Sequence, residues 1–167
     1  MALTGEKELI APCALYCGTC AFYYKSRIKD TVLHLKELLN CFERIAKKYE
    51  NDAPELKGYP VFTSVMEYLG KQDCRGCRQG GGTVRGAACN PNTCPIAVCV
   101  SKKGLDFCYQ CAEFPCEKIP TTFTRAGESL LKTWRTGNQR MKEIGLDRYL
   151  QEKKSEPRYK PREGCRT

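Results

Sequence analysis

The chain has 167 residues, enough for one domain with a single modest hydrophobic core. It contains 13 cysteines and carries a formal charge of +9, from 28 lysine and arginine residues against 19 acidic ones. No apolar run reaches the length of a transmembrane helix, and Glu6, Lys7 and Glu8 interrupt any signal-peptide core. We therefore expect a cytoplasmic protein, in which reduced cysteines bind metal or act in catalysis more often than they form disulfides.

The net positive charge comes entirely from the second part of the chain. Residues 1–70 carry nine basic and nine acidic side chains, whereas residues 71–167 carry nineteen and ten. Four thiolates around one divalent ion have a net charge of −2, so two such sites would lower the formal charge from +9 to +5. We therefore interpret the basic residues mainly as counterions of metal–thiolate centres, which argues against a polyanion-binding surface.

Residues 1–71 are predicted to be helical after a start that carries cysteines. One helix is expected from a cap at Asp30 or Thr31 to about Tyr49, with an apolar stripe at helical spacing. The stripe consists of Leu35, Leu38, Leu39, Phe42, Ile45, Ala46 and Tyr49. A second, shorter helix should begin near Pro60, a residue favoured in the first turn, and end at Gly70.

Residues 72–116 form a cysteine-rich segment with few large apolar side chains and no sustained periodicity. Ordering a backbone costs about 1–2 kcal/mol per residue, and so few apolar side chains cannot offset that cost. A structural zinc site contributes on the order of 10–16 kcal/mol of apparent binding energy to folding. We therefore predict a long irregular segment that is ordered around two or more metal ions.

Residues 117–154 return to helical patterning, and residues 155–167 are expected to be a flexible tail. Gly137 weakens the middle of this pattern, and Gly145 breaks it before a short helix in GLDRYLQEKK. The predicted apolar stripe consists of Phe123, Leu130, Leu131, Trp134, Met141 and Ile144. Residues 1–167 should thus form a single, mainly α-helical domain with a long irregular cysteine-rich metal-binding segment.

The spacing of the cysteines favours metal ligation. A Cys-x2-Cys turn can direct two sulfurs at one ion, and two such turns make a tetrahedral four-thiolate site. A thioredoxin-type redox pair needs a βαβ context that is missing here, and an odd number of cysteines disfavours disulfides alone. The spacing favours zinc over an iron–sulfur cluster and leaves open which cysteines share an ion. The three pairs are Cys17/Cys20, Cys74/Cys77 and Cys108/Cys111.

The spacing Cys13-x3-Cys17-x2-Cys20 also matches the loop by which radical S-adenosylmethionine enzymes hold a four-iron cluster. Those enzymes resemble partial barrels of alternating strands and helices, and neither that pattern nor the necessary length follows the motif here. We prefer the interpretation that these cysteines share ions with the later ones and pin the N-terminal segment to them.

Three further residues are not expected to bind metal. We interpret His34 as a solvated or partly buried helical side chain, Cys41 as a small apolar residue of the same helix, and Cys165 as a free thiol. No catalytic triad or acid–base pair stands out, which favours a binding or adaptor module over an enzyme. Basic and aromatic residues mix at 22–27 and 133–142, so nucleic-acid binding is a third hypothesis, after structural zinc and an iron–sulfur redox or sensor protein. A protein partner is left open, and no membrane partner is expected.

Four stretches are similar to the cysteine-rich prokaryotic family catalogued as domain of unknown function 3795: APCALYCGTCAFY, CRGC, CPIAVCVSKKGLDFCYQCAEFPCEKI and NQRMKEIGLDRYL. The similarity extends from Leu9 to about Leu150 and implies a zinc- or metal-binding cytosolic protein of bacteria or archaea with no assigned reaction. Cys89 has no counterpart in the family pattern, and the lone Cys165 does not complete the C-terminal CxxC ribbon of some members. Carried over by position, the implied metal ligands are Cys13, Cys17, Cys20, Cys74, Cys77, Cys94, Cys99, Cys108, Cys111 and Cys116.

Overall fold

The computed structural model describes residues 3–83, 90–119 and 127–156, without the side chains of residues 127–130. The described residues contain no β-strand, only isolated bridges, so the prediction of a mainly α-helical protein is confirmed. The helices are α1 (Arg27–Leu38), α2 (Phe42–Tyr49), α3 (Tyr59–Gly70), α4 (Pro95–Lys102), α5 (Gly127–Ile144) and α6 (Leu146–Ser155). Short 3₁₀ helices lie at Gly5–Leu9, Pro54–Gly58, Cys77–Gln79 and Cys108–Gln110. None of the described helices has the length and hydropathy needed to cross a bilayer.

The single long helix predicted over about residues 31–49 is wrong, because the chain forms two helices there. Helix α1 begins earlier than predicted, where the Ser26 hydroxyl accepts a hydrogen bond from the Lys29 amide at 3.1 Å. Cys41 adopts a left-handed conformation with φ of +66° between α1 and α2 and is exposed. The interpretation of Cys41 as a small apolar residue inside a helix is therefore also wrong. Apolar periodicity does not reveal a left-handed residue of this kind.

Helices α1, α2 and α3 form what we call the helical lobe, residues 27–70. Helix α1 packs mainly on α3, and the Leu33 side chain lies against Gly70 near the end of α3. The rings of Phe42 and Tyr59 join α2 to α3, with their centroids 5.2 Å apart. Helix α3 has the predicted bounds, and Met66 is its one buried residue.

The predicted apolar stripe of the first helix does not form a core. Of its seven members only Ala46 is buried, whereas Leu38 and Ile45 are exposed at 68% and 49%. The break at residues 39–41 changes the rotation of α2 relative to α1, so the seven positions no longer lie on one face. The lobe consequently has little interior of its own.

The core of the molecule lies between α4, α5, α6 and the N-terminal segment, in two adjoining clusters. Trp134 and Met141 on α5 are both 1% exposed, which confirms their predicted place in the core. Helix α6 follows a break at Gly145, as expected. Phe123, another member of the predicted stripe, lies outside the described residues.

The cysteine-rich segment is less irregular than predicted. Residues 95–102 form helix α4, with Pro95 in its first turn. Its Ile96 and Val100, together with Phe107 further along, are buried at 1–3% exposure. The few apolar residues of this segment therefore contribute to the two core clusters. The sequence did not predict this, because these residues show no regular spacing.

Residues 10–14 run through the centre of the molecule and are held by polar side chains from α5 and α6. The buried Asn138 amide donates to the Pro12 carbonyl at 3.3 Å, and the Tyr149 hydroxyl donates to the Ala14 carbonyl at 2.7 Å. A Cβ atom on Gly137 would lie 2.6 Å from Ala14 Cβ, so only glycine permits this approach in α5. The glycine that weakens the helical pattern is thus required by packing.

Candidate functional site

Four cysteines line one small cavity of about 10 Å³ on the surface of the second core cluster. Cys99 comes from α4, Cys108 and Cys111 come from the two ends of a 3₁₀ turn, and Cys116 follows closely along the chain. Phe114 also lines the cavity, and its ring meets Trp134 edge to face at a centroid distance of 5.5 Å. We call these four residues the C-terminal cysteine cluster: Cys99, Cys108, Cys111 and Cys116.

Cys108 is the innermost member of this cluster, and the other three cysteines influence its titration. Burial raises the pKa of the Cys108 thiol, and negative charge on Cys116, Cys99 or Cys111 raises it further. The Trp134 indole N–H is buried and makes no hydrogen bond of good geometry. It lies beside the Cys108 sulfur, and this donor lowers the pKa of the Cys108 thiol. An acceptor at Cys108 would therefore satisfy a buried donor.

Cys111 is the outer member, and a lysine beside it lowers the pKa of its thiol. Lys103 Nζ lies 3.0 Å from Cys111 Sγ and 3.0 Å from Glu113 Oε1. The Lys103 hydrogen bond is the main reason that the pKa of Cys111 is lowered, and the backbone N–H of Glu113 adds to it. Lys118 completes the charged rim, because its Nζ contacts the other oxygen of Glu113 at 3.1 Å.

A second group of four cysteines forms where the two ends of the helical lobe meet. The pair Cys17/Cys20 lies shortly before the lobe in sequence, and the pair Cys74/Cys77 lies shortly after it. The lobe is therefore inserted between the two pairs. The Cys74 amide donates to the Phe22 carbonyl at 3.2 Å, and the Tyr24 amide donates to the Cys74 carbonyl at 2.9 Å. We call this group the N-terminal cysteine cluster: Cys17, Cys20, Cys74 and Cys77.

The sulfurs of the N-terminal cluster interact across the two pairs. Burial is the main reason that the pKa of Cys74 is raised, and negative charge on Cys20 raises it further. The Gly76 amide donates to the Cys74 sulfur and opposes this shift. A Cβ atom built on Gly76 would lie 3.9 Å from Cys17 Sγ, so Cys17 packs directly on the turn between Cys74 and Cys77.

The glycines at 80–82 fold back on this turn. The Arg75 amide donates to the Gly81 carbonyl at 2.9 Å, and the Gly81 amide donates to the Gly76 carbonyl at 3.0 Å. A Cβ atom on Gly82 would lie 2.8 Å from the Cα atom of Cys74, closer than real side chains approach. The glycine run therefore allows the backbone to cover Cys74.

Arg78 connects the two clusters. It follows Cys77 directly, and its Nε donates to the Ile10 carbonyl at 3.0 Å while Nη2 donates to the Asp106 carbonyl at 2.6 Å. The guanidinium also lies over the Phe107 ring, 4.7 Å from its centroid. Burial lowers the pKa of Arg78, and the Asp106 carboxylate opposes that shift most strongly. One side chain thus ties the N-terminal cluster to the turn that leads into Cys108.

The other predicted ligands lie elsewhere. Cys13 is buried in the second core cluster and Cys94 packs against it at the start of α4, but neither lines the cavity of the C-terminal cluster. Cys89 and Cys165 lie outside the described residues. No disulfide joins the cysteines that the structure describes. Within the same residues, no group of three or more His, Cys, Asp or Glu side chains is arranged so that it could hold a metal ion.

Two features of the clusters were missed at the level of sequence. Lys103 and Arg78 were included only in a general count of counterions, and Trp134 only in the core and in the basic–aromatic stretch 133–142. Arg78 could have been singled out because it directly follows a Cys-x2-Cys pair. His34 is exposed beside Glu37, in agreement with the interpretation that it is a solvated helical residue.

The fold and its two clusters define a mainly α-helical, cysteine-rich protein with paired Cys-x2-Cys turns. The family described as Protein of unknown function (DUF3795) matches residues 9–121, a range that contains both clusters, and the chain therefore belongs to this family. This confirms the resemblance seen in the sequence. No curated protein and no solved structure matches the chain.

Proposed function

We propose that this protein binds two zinc ions through thiolates, one at each cysteine cluster, and works as a binding or adaptor module. The first ion would be held by Cys99, Cys108, Cys111 and Cys116, and the second by Cys17, Cys20, Cys74 and Cys77. Four-thiolate zinc sites are closed, with no position left for water or substrate, and they are typically structural. Such sites favour a module over an enzyme.

The observation that carries the proposal is the convergence of four cysteines on a single cavity, from helix α4, from one 3₁₀ turn and from the segment that follows the turn. Only part of each site comes from one Cys-x2-Cys turn, and tertiary packing supplies the rest. Because the sulfurs do not yet stand in a ligand arrangement, loading requires rotation of the cysteine side chains about their Cα–Cβ bonds. Such a rotation costs far less than the metal–thiolate bonds contribute.

The surroundings of the sulfurs suit thiolates. Lys103 and the Glu113 amide donate to Cys111, and the Gly76 amide donates to Cys74. The indole N–H of Trp134 faces Cys108 without a good acceptor, and a thiolate accepts more strongly than a thiol. Donors of this kind around a metal centre offset the negative charge of its ligands.

The size of the cavity favours a single ion over an iron–sulfur cluster. A space of about 10 Å³ is comparable to one probe sphere, whereas a cubane holds four irons and four sulfides between its cysteines. The third hypothesis, nucleic-acid binding, loses one of its aromatic platforms, because Trp134 is only 1% exposed and cannot stack on a base.

The experiment is a metal count on protein purified under anaerobic conditions, by mass spectrometry of the elements. We expect a colourless protein with two zinc ions per chain. A brown solution that contains iron and acid-labile sulfide would contradict zinc in favour of the iron–sulfur alternative. A chain that takes up no metal would contradict thiolate ligation altogether.

Single cysteine variants assign the ions to the clusters. Cys108→Ser should lower the count by one, and Cys74→Ser should lower it by one independently. Cys41→Ser is the matched control and should leave two ions, because Cys41 is exposed between α1 and α2 and belongs to neither cluster. Equal effects of all three substitutions would show that the loss reflects unfolding and not removal of a ligand.

A further inference from the structure

The two cysteine clusters share a set of contacts that requires both of them to be in place. Cys17 and Cys77 of the N-terminal cluster pack against the second core cluster, which contains Cys108 of the C-terminal cluster. Arg78 directly follows Cys77 and adds two hydrogen bonds and a ring contact across the same boundary. The two clusters therefore adjoin within one packed structure.

On the side of the N-terminal cluster, Arg78 is tied to the segments that carry two of its cysteines. It follows Cys77 within one 3₁₀ turn, so its position depends on that of Cys77. Its Nε donates to the Ile10 carbonyl at 3.0 Å. The Cys17 amide donates to the neighbouring Leu9 carbonyl at 2.7 Å. Restraint of Cys17 and Cys77 therefore restrains both partners of the Arg78 hydrogen bond.

On the other side, the same guanidinium holds the start of the turn that carries Cys108. Its Nη2 donates to the Asp106 carbonyl at 2.6 Å, and it lies over the Phe107 ring, 4.7 Å from the centroid. The Asp106 and Phe107 amides both donate to Gln110 Oε1, at 2.8 and 2.9 Å, and so close this turn. Displacement of Arg78 would therefore release the turn that positions Cys108.

Contacts shared in this way couple the order of the two clusters. When the turn at Cys77 opens, Arg78 moves with it, and the turn at Asp106 loses a charged donor. Opening of the turn at Asp106 breaks the same bond from its other side. The bond is thus lost once, at the first opening, and the second opening becomes easier. Only 18% of the Arg78 side chain is exposed, so water replaces the lost partner poorly.

We propose that Arg78 is a positioning residue that couples the two clusters, so that zinc held at one cluster raises the affinity of the other. This inference rests on the two zinc sites of the proposed function. Restraint of Cys77 by ligation keeps Arg78 over Phe107 and holds the turn of Cys108 in place. By linkage, ligation at Cys108 favours ligation at Cys77 by the same factor. We expect a factor of about ten, within the usual range of coupling between two sites.

Competition for zinc with a chromophoric chelator, on the full chain under anaerobic conditions, measures this factor. The wild-type protein gives the product of its two association constants. Cys74→Ser leaves the C-terminal site and Cys108→Ser leaves the N-terminal site, so these variants give the two single-site constants. We expect the wild-type product to exceed the product of the single-site constants about tenfold. The metal count of each variant still falls by one ion, because a tenfold change leaves a four-thiolate site saturated.

Two substitutions at Arg78 assign the coupling to this side chain. Measured again with Arg78→Met in all three proteins, the ratio should fall close to one. A general loss of stability would not lower the ratio, because it weakens the single-site constants at least as much as the wild-type product. Arg78→Lys keeps the charge but lacks the planar fork that reaches two carbonyls, so it should also lower the ratio, whatever Arg78→Met does to folding. Arg75→Met is the control and should keep the tenfold ratio, because Arg75 is exposed beside Tyr24.

The possible contrary results differ in what they overturn. A ratio of one or less in a wild-type protein that binds two zinc ions would overturn the coupling and leave the proposed function standing. A tenfold ratio that persists in both Arg78 variants would overturn the role of Arg78. A wild-type protein that binds fewer than two zinc ions would overturn the proposed function and this inference together.

Discussion

Lys103 Nζ lies 3.0 Å from Cys111 Sγ, which joins the last turn of α4 to the rim of the C-terminal cysteine cluster. The contact is the main cause of the lowered pKa of Cys111. In a metal-free state this thiol therefore loses its proton at lower pH than an ordinary cysteine. One lysine of the basic half of the chain thus acts as the counterion of one particular cysteine.

Lys103→Met should raise the pKa of Cys111 in metal-free protein. Because the folded pKa of Cys111 lies below its unfolded value, the contact stabilises the fold fully above the unfolded pKa and ceases to do so as pH falls through the folded one. The rate of Cys111 alkylation, followed by peptide mass spectrometry against pH, should move to higher pH in the variant. Lys102→Met is the control, because Lys102 is exposed and makes no such contact. Coincident profiles for wild type and Lys103→Met would refute the role of the lysine.

Trp134→Phe should weaken zinc binding at the C-terminal cluster about tenfold, in the range that outer partners of a metal site contribute. The substitution keeps an aromatic ring in the core but removes the indole N–H beside Cys108. Competition with a chromophoric chelator measures the affinity of each site. Tyr59→Phe, in the helical lobe and outside both cysteine clusters, is the control and should bind as wild type. An unchanged affinity in Trp134→Phe would mean that the N–H does not act on the site.

Arg78→Met should lower the free energy of unfolding by roughly 3 kcal/mol, because two backbone carbonyls lose a charged donor. Urea denaturation followed by circular dichroism gives this value. Arg75→Met should change it by no more than about 0.5 kcal/mol, because the Arg75 side chain is exposed and lies beside Tyr24. Similar losses in both variants would argue that Arg78 does not connect the two clusters.

Gly82→Ala should destabilise the protein by about 1–3 kcal/mol, the usual effect of forcing an atom into a filled site. The added methyl would lie 2.8 Å from the Cα of Cys74, and that atom belongs to the backbone and cannot move aside alone. Gly58→Ala is the control, since nothing lies within 4 Å of a Cβ there and its φ is −77°. Thermal unfolding distinguishes the two variants. Equal midpoints would contradict the close packing of Gly82 on Cys74.

Removal of metal should loosen the cysteine turns before the rest of the molecule. After chelation, hydrogen exchange should accelerate in residues 74–82 and 99–116, where amides such as those of Gly76 and Glu113 donate to sulfur. Helix α6 should keep its protection longer, because Tyr149 and Leu150 are buried in the first core cluster. Exchange that accelerates equally in all segments would show that the metals support the whole fold cooperatively.

The elements with complete local signals were predicted well. Pro60 and Gly70 mark α3, and Gly145 separates α5 from α6, because each of these residues restricts the backbone within its own turn. The break at Cys41 and helix α4 were missed. A left-handed cysteine has no sequence signature, and α4 is a short helix whose buried Ile96 and Val100 repeat only once.

The sequence alone determined the helical class and the family, because these depend on residue identity and short-range spacing. It could not determine which cysteines lie together. Cys74 lies beside the segment that follows Cys20 only because α1 and α3 pack together and bring the two ends of the lobe into contact. Cys99 and Cys108 line the same cavity only because α4 packs on Trp134. Contacts between residues distant in sequence arise from packing of whole elements, which no local pattern encodes. Tertiary structure likewise decided that the apolar residues of α3 lie on two faces, one of which remains exposed.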